Sequence, residues 1–271
     1  MRSILEVDFA QPAGFRPLSL DLRTPQTPGA PLIVFLHGGG WLRGSRKVFT
    51  PGISDAQSFD RIVAAGFAVA SCEYRLSGEG RFPAQLDDVD AAIEWLRANG
   101  DRHGVDAGRM VVWGVSAGAT LAALTGLRRD DVRGVVDWFG PADLFALAAE
   151  DSDEAPGDTR EARWLGAPAA DLPDTARLAS PTLQVHAGAP PFHIAHGTAD
   201  AHVPFTQSEA LAAALRAAGA DVELQPVMDG RHFWQGLDDT SSVFDPAIDF
   251  AARVTSSAEA SSANRPATSG A

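Results

Sequence analysis

Short apolar runs alternate with helical patterns along this 271-residue chain, and this alternation narrows the possible folds to a few. Six runs are almost continuously apolar, as expected of strands buried on both faces of a parallel sheet. They lie at 31–38, 66–74, 109–116, 132–139, 190–197 and 221–227. Segments with helical spacing separate them, as between residues 82 and 100. This alternation predicts an α/β fold with a mostly parallel central sheet flanked by helices. We expect two antiparallel strands, at 4–9 and 18–24, to precede it at one edge.

Two segments depart from this rhythm. Residues 141–180 join two predicted strands by far more chain than usual, which favours an insertion that covers a pocket as a lid or wall. Residues 255–271 are rich in serine and alanine and have too little apolar surface to offset the entropy of ordering, so we expect a disordered tail. The chain is therefore predicted to hold one domain over residues 1–254.

Charge and composition exclude several classes of partner. The net charge is −13, whereas binding to nucleic acid or to an anionic membrane needs a basic surface. No apolar segment approaches the roughly 18 residues of a membrane span, and no signal peptide is visible, so a cytoplasmic location is expected. Cys72 is the only cysteine, which excludes an intramolecular disulfide and a cysteine-based zinc site.

The strongest local motif is Gly114-Val115-Ser116-Ala117-Gly118. This G-x-S-x-G sequence lies between a predicted strand and an Ala/Leu-rich predicted helix, which are the flanks that a nucleophile elbow requires. The glycines permit a sharp turn with the serine at its tip. The motif predicts that Ser116 is a nucleophile.

A second motif, His37-Gly38-Gly39-Gly40, ends an earlier predicted strand. Consecutive glycines allow backbone N–H groups to turn toward a developing oxyanion. We expect the donors to be the N–H groups of Gly39 and Gly40 together with that of Ala117. A phosphate-binding loop is disfavoured because no Gly-Lys-Ser/Thr follows, and His37 is expected to be structural.

An acid and a base that could act with Ser116 follow later strands. Asp200 lies in a turn beyond one predicted strand and His232 lies beyond the next. The chain order Ser, Asp, His is the order that accompanies a nucleophile elbow. Asp143 also follows a strand and is the alternative acid. A metal shared by His193 and His196 is disfavoured, because residues three apart on a strand face opposite sides.

Three separated motifs carry a family resemblance: the HGGGW loop, GVSAGA after residues 74–100, and residues 180–211 with a late histidine. Together they resemble the α/β-hydrolase fold serine esterases of the BD-FAE type, relatives of the hormone-sensitive-lipase group. The resemblance covers about residues 3–250. It implies a serine carboxylesterase that hydrolyses short-chain acyl esters, with no metal or organic cofactor. With few residues before the HGGGW strand, no large N-terminal cap is expected.

Alternatives to this assignment stay open in the sequence. An arylformamidase acting on N-formylkynurenine has a similar HGG-x-W loop, and a non-catalytic hydrolase fold could bind a small molecule. Trp41, Trp164 and Phe233 are candidate pocket walls and equally candidates for core packing. The bulky Arg231 and Phe233 replace the glycines usual beside this family's histidine, so the loop around His232 is where the chain is expected to differ.

Overall fold

Eight strands form a single sheet in the computed structural model, which describes residues 1–150 and 154–256. The strand order is β1-β2-β4-β3-β5-β6-β7-β8. The strands are β1 (Arg2–Ala10), β2 (Leu18–Thr24), β3 (Ala30–Leu36), β4 (Ala68–Cys72), β5 (Val105–Val115), β6 (Val132–Trp138), β7 (Phe192–Gly197) and β8 (Val222–Val227). Strands β3 to β8 are parallel, whereas β1 pairs antiparallel with β2, and β2 antiparallel with β4. The predicted fold class and the antiparallel edge are confirmed.

Helices cover both faces of this sheet. They are α1 (Phe59–Ala64), α2 (Ala84–Asn99), α3 (Ala117–Arg128), α4 (Leu144–Ala148), α5 (Arg160–Leu165), α6 (Pro173–Leu178), α7 (Thr206–Ala217) and α8 (Ser241–Ser256). None of the helices in the described ranges has the length and apolar character needed to cross a membrane.

The side chains of β3 show how the sheet divides the core into two layers. Leu32, Val34 and Leu36 pack on the face covered by α2, α3 and α7, while Ile33 and Phe35 pack on the face covered by α1 and α8. All five are fully buried, because successive residues of a strand point to opposite faces and both faces carry helices. Burial on both faces explains why the sequence of β3 is almost continuously apolar.

Helix α8 covers the face of the sheet on which Ile33 and Phe35 pack, and it contains a proline, Pro246, in its interior. Proline has no N–H to donate to the carbonyl of Ser242 one turn earlier. The side-chain amide of Gln225 on β8 donates to that carbonyl at 2.7 Å, which ties the helix to the sheet edge.

The end of α8 corrects one boundary of the sequence prediction. Thr255 and Ser256, expected to begin a disordered tail, are the last residues of α8. Thr255 is buried, and its hydroxyl donates to the carbonyl of Ala251 at 2.8 Å. Burial of this face and the helical hydrogen bond offset the ordering entropy that composition alone suggested would prevail. The rest of the predicted tail, 257–271, lies outside the described residues.

In its described residues, the insertion between β6 and β7 holds the three short α-helices α4, α5 and α6. They pack on the face of the sheet that carries Leu32, Val34 and Leu36. Asp143 caps α4 by accepting the N–H groups of Phe145 and Ala146, and Thr159 caps α5 by accepting the N–H of Ala162. Trp164 on α5 is fully buried. Residues 151–153 of this segment are outside the described ranges.

Asp137 on β6 is a buried carboxyl group that should make stability depend on pH. Burial raises its pKa from 3.8 to about 6, although the N–H of Gly140 donates to Oδ1 and partly opposes this. No residue in the described ranges donates to Oδ2. The folded protein therefore binds this proton more tightly than the unfolded chain does. The stability that the bound proton supplies is complete below pH 3.8 and is lost as the pH rises to about 6.

We expect Asp137→Asn to remove this contribution to the pH dependence. Between pH 4 and pH 7, the free energy of unfolding of the wild type should fall relative to that of the variant by up to about 3 kcal/mol. Urea unfolding at a series of pH values measures this, with Asp171→Asn at an exposed acid as the control. Parallel curves for wild type and Asp137→Asn would contradict the expectation.

Candidate active site

Three side chains meet at the carboxyl edge of the parallel strands. Ser116 follows β5, Asp200 follows β7 and His232 follows β8. Carboxyl ends of parallel strands open onto the same edge of a sheet, where ligands of α/β proteins bind. Residues separated by up to 116 positions in the chain are in contact there.

The backbone at Ser116 turns sharply between β5 and α3. Its φ and ψ are 54° and −124°, an unusual combination for a residue with a side chain, and its N–H donates to the carbonyl of Trp138 at 2.8 Å. A Cβ on Gly114 would lie 2.1 Å from the carbonyl oxygen of Gly118. A Cβ on Gly118 would lie 2.1 Å from the carbonyl oxygen of Leu36. Both glycines of the motif are therefore needed for close backbone packing.

A chain of two hydrogen bonds joins the three side chains. His232 Nε2 lies 3.0 Å from the Ser116 hydroxyl, and His232 Nδ1 lies 2.5 Å from Asp200 Oδ2. Ser116 and His232 are 6% and 3% exposed, so little water competes for these bonds. Since the ionised carboxylate only accepts, Nδ1 carries the proton and Nε2 is free to accept one from the hydroxyl.

Asp200 remains ionised although its side chain is fully buried. Burial opposes ionisation, but hydrogen bonds from His196 and His232 and the N–H of Val203 outweigh it and hold the pKa of Asp200 well below its usual range. The N–H groups of His202 and Val203 donate to Oδ1 at 2.8 and 3.0 Å. The carboxylate is thus fixed on one side and presents Oδ2 to the imidazole.

His196, near the end of β7, also contacts Asp200, whereas the sequence suggests it only as a disfavoured metal ligand. It is completely buried, and its Nε2 lies 2.9 Å from the carbonyl of Val203 and 3.3 Å from Asp200 Oδ2. Its Nδ1 lies 2.7 Å from the hydroxyl of Ser208 on α7. The spacing of four residues from Asp200, across a turn at a strand end, is the signal that could have indicated this contact.

The burial of His232 affects its own proton affinity. Desolvation disfavours the imidazolium and lowers the pKa of His232 below 6.5, while the Asp200 carboxylate partly opposes that change. The ring of His202 stacks on His232 with 5.1 Å between centroids and adds a further lowering contribution. At neutral pH His232 is therefore a neutral base.

The glycine loop after β3 lies against Ser116. A Cβ on Gly38 would be 3.2 Å from the Ser116 Cβ, and Gly39 and Gly40 adopt φ of 126° and 63°, which favour glycine. Within the described ranges, the N–H groups of Gly39, Gly40 and Ala117 donate to no protein acceptor. Three backbone donors beside the hydroxyl are thus available to a ligand.

His37 supports this loop from below. Its ring stacks on Tyr74 at 4.3 Å, the Tyr74 hydroxyl donates to the His37 carbonyl at 2.7 Å, and Nδ1 lies 2.8 Å from the carbonyl of Gly38. Burial lowers the pKa of His37 to about 4, so it is neutral and donates through Nδ1. His37 thus holds the glycine loop in place through its contacts with Gly38 and Tyr74, which is a structural role.

A cavity of about 650 Å³ opens at this edge of the sheet. Ser116 and His232 lie in it with the glycines of the loop, and His202 and Phe233 form part of its wall. The insertion supplies four further wall residues, namely Glu154, Asp158, Arg160 and Arg163.

Phe233, with φ of 60°, packs its ring 4.3 Å from that of His232. Arg231 is exposed and does not line the cavity.

Two predicted wall residues are located elsewhere. Trp41 and Trp164 stack on each other with centroids 4.1 Å apart, are 1% and 0% exposed, and do not line the cavity. The Trp164 Nε1 donates to the side chain of Gln85 on α2 at 3.0 Å. Their interpretation as substrate-binding residues is therefore wrong, because two large aromatic faces bury more apolar area against each other than an open cavity would offer.

The remaining candidates are also separated from the cavity. Asp143 caps α4 and has no contact with His232, so Asp200 is the acid that meets the histidine. His193 packs beside Phe250 of α8 and bonds to Glu223, on the opposite face of β7 from His196. Within the described residues, no three His, Cys, Asp or Glu side chains are grouped as a metal site requires.

This sheet, with its strand-to-helix turn and the three convergent loops, defines an α/β-hydrolase. The family model described as BD-FAE matches residues 20–215, and the chain belongs to that family. In solved structures the fold recurs in a truncated carbohydrate esterase from gut microbiota, which is 28% identical. The alignment has a TM-score of 0.83 and covers 94% of this chain and 97% of that one.

Two curated relatives come from Mycobacterium tuberculosis. Esterase LipQ is 34% identical over an alignment of 231 positions, which covers 79% of this chain and 53% of LipQ. Esterase LipC is 32% identical over an alignment of 210 positions, which covers 70% of this chain and 49% of LipC. The chain thus spans about half the length of these relatives.

The contact between Asp200 and His232 predicts a change in a measurable pKa. Asp200→Asn removes the charge that raises the pKa of His232 and leaves the desolvation that lowers it, so this pKa should fall further below 6.5. A titration of the His232 ring followed by NMR measures it, with Asp239→Asn as a control at an exposed acid. An unchanged or raised pKa in Asp200→Asn would contradict the described hydrogen bond.

Proposed function

We propose that this protein is a serine carboxylesterase that hydrolyses short-chain acyl esters through an acyl intermediate on Ser116. The observation that carries the proposal is the hydrogen-bonded chain from Ser116 through His232 to Asp200. The names of its relatives, which are esterases, support it. The described residues up to Ser256 act as one hydrolase domain, in which the part of the insertion from Glu154 to Arg163 forms a wall over the site.

The first half-reaction forms the acyl-enzyme. His232 Nε2 takes the proton of the Ser116 hydroxyl as its oxygen attacks the ester carbonyl carbon. Negative charge develops on the carbonyl oxygen, which accepts hydrogen bonds from the N–H groups of Gly39, Gly40 and Ala117. The resulting His232 imidazolium is stabilised by the Asp200 carboxylate. His232 then gives the proton to the departing alkoxide, so the alcohol leaves neutral and the acyl group stays on Ser116.

The second half-reaction repeats these steps with water. His232 deprotonates a water molecule that attacks the acyl carbonyl, the same N–H groups receive the second oxyanion, and Ser116 recovers its proton as the acid leaves. No step requires a metal ion or an organic cofactor. The fixed orientation of Asp200, held by two backbone N–H groups and by His196, keeps the histidine in the tautomer that both half-reactions use.

Labelling with a fluorophosphonate probe tests the nucleophile. The wild type should react at Ser116, identified by mass spectrometry of the modified peptide. Ser116→Ala should abolish labelling, and His232→Ala should slow it and lower kcat by about 10⁴-fold or more. Ser45→Ala, which removes another hydroxyl lining the same cavity, is the matched control and should label normally. Labelling that persists in folded Ser116→Ala would refute the assignment.

The depressed pKa of His232 predicts the acid side of the pH profile. The histidine must be neutral to accept the proton of Ser116, so kcat/KM should rise with pH through the pKa of His232. Because burial lowers that pKa, the midpoint should lie below 6.5. Initial rates with 4-nitrophenyl acetate from pH 4.5 to 8 measure it. A midpoint above 6.5 would conflict with the buried, neutral imidazole.

Substrate class is tested with a chain-length series. Nitrophenyl acetate and butyrate should give higher kcat/KM than octanoate, because the ring of Phe233 beside His232 and the walls from the insertion bound the acyl space. N-formylkynurenine serves as the competing amide substrate. Its hydrolysis in preference to the short esters would replace the proposal by an arylformamidase activity.

A further inference from the structure

Two arginines line the cavity beside the glycine loop. Arg43 and Arg160 are exposed lining residues, one from the loop after β3 and the other from the start of α5. Within the described part of the chain, neither guanidinium forms a salt bridge or a hydrogen bond. The charge of Arg160 acts only at longer range on its neighbour Glu161, where it partly opposes the rise in pKa that burial causes. Arginine side chains at protein surfaces commonly bind carboxylates, which match their planar donors.

Backbone and side-chain contacts fix both arginines to the loop that would receive the substrate's carbonyl oxygen. A Cβ on Gly40 would lie 2.6 Å from the Arg160 Cδ, so the stem of Arg160 packs directly on that glycine. The N–H of Arg43 donates to the carbonyl of Gly39 at 3.3 Å, and the carbonyl oxygen of Arg43 would lie 2.0 Å from a Cβ on Gly39. Each arginine is thus held on one of the two glycines that the mechanism uses.

The other charges of the cavity leave an excess of positive charge. Arg163 pairs with Asp158 at 3.5 Å, both being exposed, and Glu154 is the remaining acid. Among the described residues that line the cavity, three arginines therefore accompany two carboxylates, in a protein whose net charge is −13. Glu161, next to Arg160 in the chain, interacts with its charge but does not line the cavity. Such a concentration of cations opposes the general field of the molecule, and clefts with one sign of charge draw ligands of the other sign.

Resting on the proposed esterase function, we propose that the preferred substrates are esters that carry a carboxylate close to the scissile bond. Arg43 and Arg160 bind this carboxylate while the ester carbonyl lies against the N–H groups of Gly39 and Gly40. The arginines contribute binding and orientation and take no part in proton transfer. The carboxylate belongs either to the acyl half or to the alcohol half of the ester.

Matched ester pairs that differ by one methyl cap test this inference. For the alcohol half, 3-acetoxybenzoate is compared with methyl 3-acetoxybenzoate. For the acyl half, mono-4-nitrophenyl adipate is compared with its methyl ester. The measured quantity is the ratio of kcat/KM for the anionic ester to that for the neutral ester, in the wild type, Arg43→Gln, Arg160→Gln and the double variant.

We expect the ratio for at least one pair to fall about fivefold to twentyfold in the double variant, as when a partly exposed charge-assisted hydrogen bond is lost. The loss should fall on the anionic ester of that pair, because the neutral ester presents no charge to the two guanidinium groups. The pair that responds identifies which half of the ester carries the carboxylate. The wild-type ratio should also fall as sodium chloride is raised from 0.05 to 0.5 M, because salt screens exposed charges.

Arg216→Gln is the matched control. Arg216 is an exposed arginine on α7 that does not line the cavity, so its substitution removes one positive charge, as each single variant does, but outside the cavity. Its ratio should equal that of the wild type. A change of the same size in Arg216→Gln would mean that net charge, and not the two arginines, governs the discrimination, and would overturn the inference.

The remaining outcomes separate this inference from the proposed function. An equal loss for both members of each pair in the double variant would assign the arginines to general stabilisation of the oxyanion and overturn substrate selection. Unchanged ratios in both pairs, with active enzyme, would overturn the inference and leave the esterase proposal standing. Failure of the wild type to hydrolyse any ester, together with no fluorophosphonate labelling, would overturn both.

Discussion

Close backbone packing between the glycine motif and its neighbours is the constraint on which the site depends. Gly118, in the first turn of α3, approaches the carbonyl of Leu36 so closely that no side chain fits, and Gly114 approaches Gly118 in the same way. The helix therefore starts directly against the end of β3. This contact brings the glycine loop after β3 beside Ser116, and it imposes the strained φ and ψ at Ser116 that the surrounding packing sustains.

Electrostatics around the site follow from burial and from a few fixed donors. His37 and His232 are both desolvated and both neutral at pH 7, but of the two only His232 donates a hydrogen bond to a carboxylate, that of Asp200. Asp200 keeps its charge because hydrogen bonds from backbone and imidazole groups replace water. Asp137 lacks comparable donors and its pKa rises instead. The pKa values of two buried aspartates, one on β6 and one in the turn after β7, thus shift in opposite directions according to the donors that the fold supplies.

Several elements were predictable because their signals are local. The apolar runs follow from burial on both faces of a parallel sheet, and the G-x-S-x-G motif with its flanks indicates a turn that only small residues allow. Chain order makes both Asp143 and Asp200 candidates for the acid beside His232, since each follows a parallel strand that ends at the same edge of the sheet. Asp143, which satisfies the same local criteria, caps a helix instead. No local signal separates the two acids, because the difference lies in which loop reaches His232.

Strand periodicity and the steric requirements of glycine predict the fold class, the turn at Ser116 and the glycine loop, because both act over a few neighbouring positions. The stacking of Trp41 on Trp164, the contact of His196 with Asp200 and the packing of Arg160 on Gly40 are visible in the folded chain alone. Each of these contacts joins segments whose relative placement depends on how helices and the insertion pack on the sheet. That packing is a property of the whole chain, so patterns within single segments do not contain it.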